Sequence, residues 1–309
     1  KLVVQWCDRD DNTAWTASDQ VTAGSRKLTG GSTILAGVKT RETNIIFTDG
    51  AVWTMTHVGG DDIFAFNQIA VGAVGLIGPM AAGEAGGIAY WMGKNDFWMY
   101  DGVVRQIPYT NEIKAFVFDA LAADQRAKVF CSVNSLFNEI WFFYATVTEI
   151  NRYVMYNWVD RSWHIGTLAR TSMIDRIEFD NPLAAGTDSI MYKHESGDSD
   201  VQTSTTVSMS EFIVSAPFEI AQGDRNMDIF GCQPDFKGLT GSVNMAFLTR
   251  NEPQGALTTE TTFPIGTGTK QIDFRASGQQ AAVRIAGTET GNKWRLGVLK
   301  LDVQPGGER

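Results

Sequence analysis

The sequence is poor in the residues from which most catalytic and metal sites are built, with three histidines and three cysteines among 309 residues. Cys7, Cys131 and Cys232 are odd in number and far apart, with neither disulfide-framework nor zinc spacing. They read as buried free thiols of a protein assembled in a reducing cytoplasm. No apolar run reaches the roughly 18 residues that suggest a membrane-spanning helix. The nearest, 69–88, is broken by glycines, Pro79 and Glu84. Basic residues are also in deficit: 26 Lys and Arg stand against 35 Asp and Glu, a net charge of −9. That excludes a protein that grips nucleic acid by neutralising phosphates, but not a surface past which DNA slides. No signal peptide is legible, and the chain opens on Lys1 and a strand-like Leu2-Val3-Val4-Gln5-Trp6, so upstream sequence is expected to precede it.

What is present is glycine (31) and phenylalanine (18), with 43% hydrophobic and 20% charged residues, the composition of a folded globular chain. Short aromatic runs alternate with polar turns. Residues 44–48 and 51–55 flank Asp49-Gly50, which predicts a hairpin whose two-residue turn uses positive φ angles. The same grammar recurs in 87–92 with 97–100 and 103–107, in 139–144 with 152–158 and 162–165, and in 182–186 with 189–194. Repeated antiparallel meanders of this kind point to propeller blades, although a β-sandwich gives strands at similar spacing. One amphipathic helix is expected over 111–129, N-capped by Asn111, with Ile113, Phe116, Val117, Ala120 and Leu121 on one face. Aromatics vanish in the Ser/Thr/Asp-rich stretch 195–206, which reads as a linker. The expected fold is therefore all-β: propeller-like meanders with one helix over 1–203, then a β-sandwich-like module over 207–309. Within the second, 258–269 reads as an exposed hairpin loop.

Each chemical motif falls short on inspection. Asp8, Asp10 and Asn12 match the first, third and fifth positions of a calcium loop, but Thr13 replaces the sixth-position glycine and Asp19 the final glutamate. Turn residues explain them better. Gly93-Lys94 lacks the upstream glycine of a phosphate loop, where Ile88 stands, and is followed by Asn95. His194-Glu195 lacks a zincin's second histidine, and His57, His164 and His194 fall on strands or their ends. Among 35 carboxylates the sequence marks no glycosidase pair. Trp91, Trp98, Trp141, Trp158 and Trp163 are expected to fill the space between sheets rather than stack on sugars. The reading is of no catalytic, cofactor-binding or metal-ligating residue, and of a protein that is not an enzyme.

Several segments in order resemble the tail hub or nozzle proteins of short-tailed bacteriophages, also called packaged-DNA stabilisation proteins. They are Val4-Gln5-Trp6-Cys7-Asp8 with 12–16, Ala23-Gly24-Ser25, 41–55, Ala89-Tyr90-Trp91-Met92-Gly93 with Tyr100-Asp101-Gly102, and 137–144. The series continues through 152–158, 166–171, Trp294-Arg295-Leu296-Gly297 and 301–307. The sequence departs at 229–233, where a basic residue is expected before Pro234-Asp235, and family members are longer at the N-terminus. The resemblance implies a virion protein, assembled in the host cytoplasm as a ring of about six copies below the portal and adaptor. Such a ring lines or closes the DNA exit channel, lets the genome pass without specific binding, and docks tail fibres, spikes or a needle. It implies no cofactor. A carbohydrate-binding or glycan-processing β-propeller, as in a receptor-binding tail component, is the competing expectation. A cellular propeller scaffold is a third.

Overall fold

The computed structural model describes residues 2–18, 20–60, 62–176, 179–202, 205–220 and 225–308. The chain divides into two compact units, Lys1–Glu195 and Ser196–Arg309. The first is almost wholly antiparallel β. A hairpin of β1 (Val3–Trp6) and β2 (Gly24–Lys27) precedes a four-stranded meander, β3 (Ile34–Lys39), β4 (Asn44–Thr48), β5 (Ala51–His57) and β6 (Phe64–Val71). A second meander follows in β7 (Ala82–Ala85), β8 (Ile88–Met92), β9 (Phe97–Tyr100) and β10 (Val104–Gln106). After a short helix α1 (Asn111–Val117) and a 3-10 turn (Ala123–Lys128) comes a third: β11 (Phe130–Asn134), β12 (Glu139–Ala145), β13 (Ile150–Asn157) and β14 (Ser162–Thr167). A three-stranded sheet of β15 (Arg170–Ile174), β16 (Leu183–Gly186) and β17 (Met191–Lys193) completes the unit.

The order in which these sheets touch makes them propeller-like blades. The first strand of each approaches the first strand of the next, β3 to β7, β7 to β11 and β11 to β15, while the later strands run outward. Gly83 on β7 permits that approach, since a Cβ there would come within 2.8 Å of the Cys131 sulfur on β11. Between the sheets lies the aromatic filling expected from the sequence. Phe47 meets Trp91 at 5.1 Å, Phe97 meets Phe142 at 5.2 Å and Trp163 at 4.6 Å, and Tyr90 stacks on Trp158 at 6.3 Å. Trp91 is wholly buried and spends its one donor on the Val74 carbonyl at 2.8 Å. Burying an aromatic of this size stabilises the fold by about 1.5–3 kcal/mol.

Two local expectations need correction. Neither Asp49 nor Gly50 adopts a positive φ. The Thr48 hydroxyl closes the turn instead, accepting the Ala51 N–H at 2.7 Å. The helix expected over 111–129 is N-capped by Thr110, not Asn111, and ends at Val117. Phe118 N–H still donates to the Lys114 carbonyl at 2.8 Å, but Asp119 N–H turns to that same carbonyl at 3.3 Å instead of Ala115. Further on, the Phe116 carbonyl accepts the Tyr144 hydroxyl (2.7 Å) and Arg152 (3.3 Å), and Ala122 N–H donates to Ala145 on the sheet.

The second unit is a sandwich-like arrangement. The expected linker carries a hairpin, β18 (Asp200–Gln202) and β19 (Thr205–Val207), with 203 and 204 outside the described residues. There follow β20 (Phe212–Val214), β21 (Arg225–Gln233), β22 (Phe236–Thr240), β23 (Val243–Arg250), β24 (Thr258–Ile265), β25 (Ile272–Gly278), β26 (Gln280–Gly287), β27 (Lys293–Leu296) and β28 (Lys300–Glu308). They pair as β20-β26-β23-β24, β25-β21-β28 and β22-β27. Met245, Phe247, Val283 and Ile285 from the four-stranded sheet share a core with Cys232 of β21 and Ile272 and Phe274 of β25. The expected loop 258–269 is largely β24, a strand paired along its length with β23.

Candidate functional site

The near-miss motifs resolve into turn chemistry and packing. Asp8 accepts the Thr22 hydroxyl (2.5 Å) and N–H (2.7 Å), and Asp11 accepts both groups of Thr13. These bonds hold both carboxyls below the usual carboxylate range. Asp19 lies outside the described residues, and no group of three or more His, Cys, Asp or Glu fit for a metal occurs among the described ones. Lys94 is exposed on the turn between β8 and β9. His57 packs edge-on to Phe64, and His164 approaches the Ser162 hydroxyl at 3.3 Å. Cys131 and Cys232 have thiols raised by burial, Cys232 to about 11, whereas Cys7 is only half-buried.

One carboxylate pair emerges that the sequence does not mark. β11 ends at Asn134 and β12 begins at its register partner Glu139, across a turn that puts Asn138 at φ 61°. The wholly buried Asn134 donates its amide to Glu139 Oε2 at 3.1 Å and to Glu195 Oε1 at 3.2 Å. The two carboxylates are therefore bridged by a single amide group. Trp141, two residues along the same face of β12, donates Nε1 to Glu139 Oε2 at 3.0 Å. Burial raises the pKa of both glutamates, and the charge of Glu195 raises Glu139 further against the lowering bonds from Trp141 and Asn134. Beside them, Arg170 Nε donates to His194 Nε2 at 3.1 Å, which places that ring's proton on Nδ1 because a guanidinium cannot accept.

This cluster is a fastener rather than an open site. Its polar heads point at one another, and the Asn134 amide fills the space between the carboxyls where a glycosidic oxygen would need to lie. Asn134 and Glu139 belong to the third sheet, while Glu195 follows the last strand of the fourth and is itself held by Asn181 Nδ2 on its carbonyl at 2.7 Å. Two neighbouring sheets are thereby tied together.

A cleft of about 510 Å³ between the first two sheets has the opposite character. Four places build it: the β3–β4 turn (Thr40, Arg41, Glu42, Thr43), the faces of β5 and β6 (Thr54, Thr56, Asn67, Ile69), the β7–β8 turn (Gly86, Gly87, Ile88) and the β9–β10 turn (Tyr100, Asp101, Gly102). Gly86 and Gly87 both have positive φ, 62° and 90°, as a two-residue turn between Ala85 and Ile88 requires. With no side chain on Gly87, the Arg41 guanidinium lies along the turn, its Nε 3.6 Å from where a Cβ would stand. The Arg41, Glu42 and Asn67 side chains make no hydrogen bond or ion pair among the described residues. These groups are unspent, and the sequence does not announce them because they come from separate turns.

No protein-family profile and no curated protein matches the chain. Among solved structures it is similar to an exo-β-1,3-galactanase from Phanerochaete chrysosporium with β-1,3-galactotriose, at 10% identity over 84% of this chain and 78% of that one, TM-score 0.28. The same galactanase with galactose gives 9% identity over the same shares and a TM-score of 0.27. A protein described as a glycoside hydrolase gives 9% identity, 84% and 83% coverage and a TM-score of 0.27. The reading of the sequence as not an enzyme is withdrawn: these solved structures are glycoside hydrolases. Likeness at this level assigns no activity to the chain.

Proposed function

We propose that the chain is a structural subunit of a short-tailed phage tail, a hub or nozzle protein located below the portal and adaptor. One observation carries the reading: the family-like segments occur in order along the sequence and fall on strands that carry the inter-sheet aromatics. Residues 41–55 supply β4 and most of β5, 89–92 lie in β8, 137–144 lead into β12, and 152–158 cover most of β13. The tie through Glu139, Asn134 and Glu195 is consistent with a rigid wall, since it spends buried polar groups on joining sheets. In this reading about six copies form a ring that docks fibres, spikes or a needle. A net charge of −9 keeps passing DNA from accumulating phosphate contacts along the channel. The test is cryo-electron microscopy of intact particles together with mass photometry of the purified chain. Density for this fold at the tail below the portal, and ring-sized oligomers, are expected. Absence of the chain from purified particles would overturn the proposal. The competing reading, a carbohydrate-binding propeller, is not exclusive of this one, because a tail subunit can also carry a glycan cleft.

A further inference from the structure

We infer that the cleft between the first two sheets is a binding site for a neutral, polyhydroxylated ligand, a saccharide. The inference goes beyond the hub reading and does not depend on it. Three features of the cleft carry it.

The volume, about 510 Å³, falls within the roughly 300–1,000 Å³ of small-ligand clefts. A cleft of this size can hold a ligand without any strand moving. The second feature is the uncommitted hydrogen-bonding capacity. Arg41 can only donate, Glu42 and Asp101 as carboxylates can only accept, and the Asn67 amide does both. Asp101 has one exposed, loose ion pair with Arg105 at 3.6 Å, and the other three side chains have no partner among the described residues. Sugar hydroxyls also donate and accept at once, so neighbouring hydroxyls can bridge a carboxylate and a guanidinium. The third feature is the apolar part of the lining. Tyr100 and Ile88 border the same space and match the C–H face of a pyranose ring.

Charge narrows the ligand class. One guanidinium faces two carboxylates, so phosphate, sulfate or a nucleic-acid backbone meets net repulsion. A simple cation meets Arg41. A hydroxyl-rich neutral ligand meets neither penalty. The Glu139 cluster differs: there the Asn134 amide nitrogen and the Trp141 donor are spent on the two glutamates, while here the polar groups line open space.

The experiment uses the full chain, fluorescently labelled, on a glycan array, followed by titration calorimetry with the best-bound saccharide. Arg41→Ala, Glu42→Gln and Asn67→Ala lie at exposed positions, and each is expected to weaken binding at least tenfold. Glu139→Gln, in the other cluster, should leave affinity unchanged. Amide shift mapping on the unmodified chain provides a readout that does not depend on variants folding. Saccharide-induced shifts should concentrate in residues 40–43, 67, 86–88 and 100–102. The inference is overturned by an empty array with no millimolar binding of galactose, glucose or N-acetylglucosamine. Shifts confined to other residues would also overturn it, as would affinity indifferent to the three variants, or a preference for inorganic phosphate or free glycine.

Discussion

Asp49 and Glu139 are both carboxylates at β-turns, and their surroundings push them in opposite directions. Asp49 accepts the Ser32 hydroxyl and N–H, each at 2.7 Å, and the Thr33 N–H at 3.2 Å, which holds its pKa down to about 2. A lowered carboxyl contributes stability that is present above its ordinary value of 3.8 and lost as pH falls toward about 2. Asp49→Asn keeps the shape but removes the charge from these bonds. It should cost roughly 1 kcal/mol near neutral pH, with the gap to the parent closing in acid, as urea titrations across pH would measure. Glu139 is raised, chiefly by burial, so its folded form binds a proton more readily than its unfolded form. Its contribution is complete below the ordinary 4.5 and is lost as pH rises through the raised value. Glu139→Gln retains an acceptor for Trp141 and Asn134 while relieving Glu195 of a like charge. The variant is expected to melt at a higher temperature than the parent near neutral pH, with the difference shrinking toward 4.5. Equal melting shifts at both ends of that range would contradict this account.

At the scale of elements, the hairpins could be read from the sequence because aromatic runs and turn residues repeat. The errors came where a distant group replaced a local rule. Asp49-Gly50 promised a turn made by backbone angles, but the Thr48 hydroxyl supplies the closure, and threonine's presence before Asp-Gly carries no obvious signal. The helix pattern continues to residue 121, yet the ladder leaves its register at Asp119, and Tyr144 and Arg152, distant in sequence, hold the Phe116 carbonyl that Ala120 would use to resume it. Strand β24 looked like a loop because it is an edge strand rich in threonine, with Phe263 and Ile265 turned inward only near its end. The candidate sites were illegible for the same reason: Glu139 and Glu195 come to share the Asn134 amide, and Arg41 and Asp101 to line one cleft, only once the sheets are in place. Tyr144→Phe tests the helix account directly. It removes the short bond to the Phe116 carbonyl while preserving the buried ring. A loss of about 1–2 kcal/mol is expected, with faster amide exchange confined to α1 and the 3-10 turn. Unchanged exchange there would mean that packing alone ends the helix.

For the whole molecule, each compact unit has its own apolar core. The first is centred on aromatics between the sheets, with Phe47, Trp91, Phe97 and Phe142 fully buried. The second is centred on Met245, Phe247, Val283 and Ile285, with Phe274 against Phe247 at 4.1 Å. A core shared within a unit makes that unit cooperative, because losing one sheet strips the partners from the next. Two such cores in one chain should therefore unfold as two transitions in scanning calorimetry. Truncating a fully buried aromatic removes its transfer free energy and leaves a cavity, about 3–5 kcal/mol for Phe or Trp to Ala. Trp91→Ala also orphans the Val74 carbonyl, so it belongs toward the upper end of that range. Phe247→Ala should lower one transition by several degrees and leave the other in place, and Trp91→Ala should do the reverse. Tryptophan fluorescence assigns them, since Trp294 lies in the second unit while Trp91, Trp98, Trp141, Trp158 and Trp163 lie in the first. If either substitution moved a single shared transition, the units would fold as one cooperative body, and the division at Glu195 would be a feature of geometry without thermodynamic consequence.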